Sequence, residues 1–205
     1  MEALRRYLGL GSIVSLGTSY GGMVAMAHAA RYPESVSHLI LVATAAHAGL
    51  IKRAKEIVAE RGTPAQIALC DDLFAGRINT DEKLRHYFLV MGTLYARVAD
   101  PALSELGLNR TILSPEALNQ AYGPAGCMRN FDLRPELDAI TAPTLICAGR
   151  HDWICAPEFS EELHRLIAGS DLRIFEESSH AIGGDEPQKF LDAVAGFVVY
   201  KTRGI

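Results

Sequence analysis

Five residues, Gly17-Thr18-Ser19-Tyr20-Gly21, constrain this chain most, because of what stands on either side of them. Before them, Ser12 to Thr18 is a short β-rich run of the kind that forms a buried parallel strand. After them, Tyr20 to Arg31 is small and helix-friendly, with Met23, Ala25, Met26, Ala27, Ala29 and Ala30, and Pro33 follows as a stop. Val36 to Val42 is a second apolar strand. Strand, helix and strand at this spacing make a βαβ unit and require a parallel sheet. A serine on so sharp a strand-to-helix turn sits in strained backbone, with little room for side chains two residues either side. Gly17 and Gly21 fit that demand, and Gly22 adds close packing of helix on strand. The plain alternative is a serine that caps the helix.

The rest of the chain divides into a helical stretch and a return of the βα rhythm. Met1 to Leu8 reads as the tail of a helix, with Gly9 as its stop. From Thr44 to Ala142 no strand pattern occurs. Helical windows follow one another instead, at Gly49 to Arg61, Pro64 to Phe74, Thr80 to Ala99 and Pro115 to Tyr122. Thr144 to Ala148 is then a strand ended by Gly149, Pro157 to Ile167 an amphipathic helix, and Leu172 to Phe175 a strand. Glu186 to Tyr200 closes the chain as a helix, with Phe190, Leu191, Val194, Phe197 and Val198 on one face. The expected class is α/β. Residues 1–43 and 143–205 form a core of parallel strands and flanking helices, and residues 44–142 a helical lid.

A serine hydroxyl is a poor nucleophile until a base takes its proton. His180 is the candidate base. It follows the strand Leu172 to Phe175 on a loop with Gly183 and Gly184 just beyond. The base in turn needs a carboxylate to hold its tautomer and stabilise its charged form. Asp152 follows the strand Thr144 to Ala148, so Ser19, Asp152 and His180 share one rim at the carboxyl ends of parallel strands, where open α/β sheets place their sites. The chain order Ser, Asp, His is also the one such a fold uses. Asp185 competes for the acid role but reads as a helix N-cap, and His151 as a loop residue. Histidines 28, 38, 47, 86 and 164 are assigned no chemistry. The Tyr20 N–H, directly after the serine, is the candidate oxyanion donor.

Composition excludes several other classes. Of the 205 residues, 49% are hydrophobic and 21% charged, which suits a globular domain, and the net charge of −4 comes with no basic stripe for nucleic acid. Lys52 to Lys55 reads as the solvated face of a helix. No apolar run is long enough to span a bilayer, and the first residues carry no apolar signal core. Cys70, Cys127, Cys147 and Cys155 lack metal-ligand spacing and read as reduced thiols, with Cys147 in the core. The expectation is a cytoplasmic protein without a metal or other cofactor.

Taken together, the serine turn, the Asp152 turn and the His180 loop resemble the α/β-hydrolase fold. More narrowly, Gly17-Thr18-Ser19-Tyr20-Gly21-Gly22 and Gly149-Arg150-His151-Asp152-Trp153-Ile154-Cys155 look like the proline iminopeptidase branch. The resemblance implies a serine hydrolase acting through an acyl-enzyme, most directly an aminopeptidase on a short peptide, with carboxylesterase or lactonase as the alternative. It also implies lid carboxylates that hold a substrate ammonium, for which Asp71, Asp72, Asp81, Glu82 and Glu105 are available. Family members carry four strands and a second oxyanion loop before the segment seen here. Ser12 to Thr18 is therefore expected to be an apolar edge, covered by a complementing N-terminal chain or a second copy. A non-catalytic fragment associating through that edge is the rival from outside the enzymes.

Overall fold

The computed structural model describes residues 1–98 and 100–202, and its centre is one four-stranded parallel sheet, β1 (Ile13–Thr18), β2 (Val36–Val42), β3 (Thr144–Gly149) and β4 (Asp171–Phe175), in the order β1-β2-β3-β4. The two inner strands are apolar along most of their length and almost wholly buried, as strands covered on both faces must be. β1 differs. Among the described residues it pairs only with β2, Ser15 and Gly17 face α2 and are buried, and Val14 and Leu16 on the other face are 46% and 49% exposed.

Helix α1 (Glu2–Tyr7) ends at Gly9, whose φ of 64° is the left-handed stop expected of it. α2 (Tyr20–Arg31) buries Met23, Ala25, Met26, Ala29 and Ala30, mostly small side chains that let it lie close on β1 and β2. β2 and β3 are separated by α3 (Leu50–Arg61), α4 (Pro64–Phe74), α5 (Asp81–Tyr95), α6 (Pro101–Asn109) and α7 (Pro115–Tyr122). α4 begins with a capping box, in which Thr63 and Gln66 each satisfy the other's backbone N–H. Within this stretch the described residues form only an isolated antiparallel bridge, His47 with Asp132. α5 stops at Tyr95, short of its expected end, and Ala99 lies outside the described residues. α6 is not among the helical windows expected from the sequence. Leu73, Phe74, Tyr87 and Met91 from these helices join the same core as α2 and β2.

The chain closes with α8 (Pro157–Leu166), a four-residue turn of helix α9 (Ile182–Asp185), and α10 (Pro187–Thr202). α10 packs Phe190, Ala193, Val194, Phe197 and Val198 on the far face of the sheet, against Ile40, Val42, Leu145 and Phe175. Leu191 is not part of that face and is 59% exposed. Among the described residues no helix is long and apolar enough to cross a membrane.

Candidate active site

Ser19 stands between the last residue of β1 and the first of α2, with φ 55° and ψ −123°. A non-glycine residue holds such angles only when its surroundings impose them. Its N–H donates to the Val42 carbonyl oxygen at 2.9 Å, and its own carbonyl oxygen accepts the Thr44 hydroxyl at 2.7 Å and the Gly22 N–H at 2.9 Å. Its side chain makes no capping bond to α2, which removes the capping alternative. Tyr20 is the first residue of α2, so its N–H is one of the helix's unpaired donors at the positive end of the dipole. The Tyr20 hydroxyl meets the Cys127 thiol, and that contact, more than burial, raises its pKa above the ordinary phenol value.

The crowding at this turn differs in detail from the pattern expected of the glycines. A Cβ on Gly17 would lie 2.2 Å from the Gly21 carbonyl oxygen, and one on Gly22 would lie 2.6 Å from the Thr44 side chain. A Cβ on Gly21 would meet nothing within 4 Å. Gly21 is thus not sterically required. Its backbone is the obstacle that makes Gly17 necessary.

Asp152 and His180 are brought together directly. His180 Nδ1 lies 2.8 Å from Asp152 Oδ2, and the other carboxylate oxygen accepts the N–H groups of Ile154 at 2.9 Å and Cys155 at 3.0 Å. The Asp152 side chain is fully buried and that of His180 only 11% exposed. Asp152 does not cap α8, whose preceding residue is Ala156. With Nδ1–H donated to the carboxylate, Nε2 is the ring atom left to accept a proton. Ser19, Asp152 and His180 follow the carboxyl ends of β1, β3 and β4, and among the described residues no hydrogen bond links the Ser19 hydroxyl to this ring.

The histidine loop is held close against β3. The His151 N–H donates to the Ser178 carbonyl oxygen at 2.9 Å, and a Cβ on Gly149 would sit 1.9 Å from the Ser179 carbonyl oxygen. On its other side the loop meets the end of α5. The Ala181 N–H donates to the Tyr95 carbonyl oxygen at 2.8 Å, and the Tyr95 ring stands edge-on to both His180 and Trp153, with centroids 5.5 and 5.4 Å away. Burial is the main cause that pushes the Tyr95 and Tyr122 phenols well above their usual range. No role is legible in the sequence for Tyr95; an aromatic in a helical window gives no sign that it will reach the histidine loop.

Asp185 is not the N-cap expected of it. It ends α9, and its carboxylate accepts N–H groups from Arg97, Val98 and Ser179. The five acidic residues considered for an ammonium also lie elsewhere. Asp71 pairs with Lys55 at 2.7 Å, Asp72 with Arg77 at 2.7 Å and Glu105 with Arg85 at 3.6 Å, while Asp81 and Glu82 are exposed in the first turn of α5.

Comparisons with known proteins agree with this architecture. A family model described as alpha/beta hydrolase fold matches residues 1–187. The proline iminopeptidase PfmaB of Pestalotiopsis fici is 31% identical over 174 residues, 83% of this chain and 61% of that protein. A pimeloyl-[acyl-carrier protein] methyl ester esterase of Neisseria meningitidis is 33% identical over 175 residues, 81% of this chain and 50% of that protein. The solved esterase EaEST of Exiguobacterium antarcticum superposes with a TM-score of 0.71 at 26% identity, over 96% of this chain and 70% of that one. The chain thus spans about half to two-thirds of the length of these relatives. By the extent of the family match, carried on the same strand-turn-helix frame that holds Ser19, this chain belongs to the α/β-hydrolase fold family.

Proposed function

We propose that the protein is a serine hydrolase that works through an acyl-enzyme, with Ser19 as nucleophile, His180 as base and Asp152 as the carboxylate that orients it. The observation that carries this reading is the 2.8 Å bond between Asp152 and His180 Nδ1, which leaves Nε2 free for the proton-transfer role. In the proposed cycle, Nε2 takes the Ser19 proton as Oγ attacks a substrate carbonyl. The tetrahedral oxyanion is met by the Tyr20 N–H, helped by the N-terminal end of α2. His180 then returns the proton to the leaving group, and the same steps with water release the acid. A first turnover that closes the Ser19–His180 contact fits an enzyme whose catalytic bonds tighten on substrate binding. We assign residues 44–142 to a lid over the rim.

Similarity to proline iminopeptidases supports an aminopeptidase acting on a short peptide with N-terminal proline. A second reading, hydrolysis of a carboxylic ester or lactone, is favoured by the placement of Asp71, Asp72, Asp81, Glu82 and Glu105. These face basic partners or solvent and leave no candidate among them for a substrate ammonium. Prolyl arylamides tested beside short acyl p-nitrophenyl esters separate the two. Turnover of the esters alone rejects the peptidase reading. A fluorophosphonate that fails to label the protein, or that labels Ser19→Ala as well as wild type, rejects the serine mechanism.

The exposed face of β1 supports one more assignment. Val14 and Leu16 lie on an edge strand whose outer backbone groups have no ladder partner among the described residues. We infer that further polypeptide covers this edge, as a preceding segment, a separate chain or a second copy.

A further inference from the structure

The loop that carries His180 is tied to the end of α5 by a set of bonds that the proposed cycle does not use. Asp185 Oδ1 accepts the N–H of Arg97 at 2.8 Å and of Val98 at 3.0 Å, and Oδ2 accepts the N–H of Ser179 at 2.9 Å. One carboxylate thus joins two backbone segments far apart in the chain. Bonds to a charged acceptor are about twice as strong as neutral ones. Ser179 adds its hydroxyl, which bonds to the carbonyl oxygens of Leu94 and of His151, the latter at 3.1 Å. The Ala181 N–H donates to the Tyr95 carbonyl oxygen. His180 therefore lies between two residues, 179 and 181, that are each bonded to α5, and its ring rests on the ring of Tyr95.

Resting on the assignment of His180 as base, we propose that Asp185 is a positioning residue that makes the place of the base depend on the docking of α5. The coupling is mechanical. The His151 N–H holds residue 178 to the end of the sheet, Glu186 accepts from the Glu177 N–H and the Ser178 hydroxyl, and Ile182 is buried among Val42, Cys147 and Phe175, so the loop is anchored from below on either side of His180. Beyond Ser179, the described bonds that hold the loop from above run to α5 and to Asp185. Releasing the carboxylate frees the N–H groups of residues 97, 98 and 179 together. Of the described bonds, those of the Ser179 hydroxyl and the Ala181 N–H are then left to hold the end of α5 to the loop, and the ring that sets the imidazole's height above the rim is held less firmly. Asp152 still grips Nδ1, so the ring pivots about that bond and Nε2 swings relative to Ser19. A displacement of this kind lowers the chemical step without altering the surface that binds substrate.

The test uses the whole protein with Asp185→Ala and Asp185→Asn, with Ser19→Ala as control. Three quantities are read: the rate and final stoichiometry of fluorophosphonate labelling, kcat and KM for p-nitrophenyl acetate, and amide exchange at residues 97, 98 and 179. Asp185→Ala is expected to reach wild-type stoichiometry, to label and turn over roughly 10- to 100-fold more slowly, and to keep KM within about twofold. Its three amides exchange faster. Asp185→Asn, which keeps one acceptor oxygen, falls between. Wild-type rates per labelled site in Asp185→Ala overturn the proposal, as does a loss confined to stoichiometry, which marks a purely structural clasp. If the alanine variant does not fold, Asp185→Asn decides by the same criteria. Failure of the wild type to label at Ser19 is a separate result, seen without any Asp185 variant, and it removes the base assignment itself.

Discussion

Gly149 and Ser179 approach so closely that a single methyl group on the glycine would lie 1.9 Å from the serine's carbonyl oxygen. That contact sets the histidine loop down on the end of β3, one turn of chain from Asp152. Gly149→Ala must push the loop away or break the strand end. Overpacking of this kind costs about 1–3 kcal/mol and occasionally more. The expected result is a loss of stability in that range by urea denaturation, with turnover reduced well beyond what the surviving folded fraction explains.

The two glycines of the Gly-x-Ser-x-Gly pattern are expected to behave oppositely. Gly17→Ala drives a Cβ into backbone atoms of Gly21 and Gly22, neither of which has a flexible end that could yield. It should destabilise by at least about 2 kcal/mol. Gly21→Ala meets open space within the first turns of α2 and gains helix propensity, so its stability stays within about 1 kcal/mol of wild type. Thermal melts of the pair, read side by side, check both.

Asp152→Asn keeps an oxygen for the Ile154 and Cys155 N–H groups but turns an amide N–H₂ toward His180 Nδ1. The ring then has to offer an unprotonated Nδ1, which puts the proton on Nε2 and, in the proposed mechanism, denies Ser19 its base. In a serine triad such a tautomer error lowers kcat by about 10⁴-fold, and a loss of that order is expected here. Stability should change little, because the loop bonds survive. A kcat within about tenfold of wild type would argue that Asp152 merely shapes the turn.

Thiol chemistry offers a check that is independent of catalysis. Burial pushes the Cys70 and Cys147 thiols up to about 12 and Cys155 well above its usual range, whereas Cys127 is exposed. Iodoacetamide near pH 8 should add to Cys127 first, and to the other three only on unfolding, as counted by mass spectrometry. The same shifts fix the sign of a stability change. The folded state holds these thiols protonated above the pH at which the unfolded chain releases them. Their contribution to stability is therefore unchanged below about pH 9 and declines from there toward pH 12, as urea denaturation across that range should show.

The sheet was legible because its signals are local. Val36 to Val42 and Thr144 to Ala148 are short apolar runs that only a doubly covered strand accommodates, and both strands lie there. The expectation that Ser19, Asp152 and His180 share one rim drew on the same strands by topology alone, and of the three the structure bonds Asp152 to His180. What escaped was decided by contacts between distant segments. Asp185 stands just before a helix, so capping is the local reading; its real partners, residues 97, 98 and 179, are recruited only by tertiary structure. Tyr95 looks like any aromatic in a helix, and α6 has a glycine in its short span, which weakens the helical signal. Gly21 departs from expectation for a related reason. The pattern tells that space is short around the serine but not which atom fills it.

Ser19 is not held in its backbone shape by its own neighbours in sequence alone. The bonds that fix it reach across to β2, through Val42 and Thr44, and Ala43 between them is itself at φ 47°. Two adjacent strand ends thus lean on each other, each retaining angles it would abandon alone. A peptide cut from residues 12 to 31 would relax and keep only the spelling of the motif. On the proposed reading, Ser19 is poised for attack only where the second strand has docked against the first.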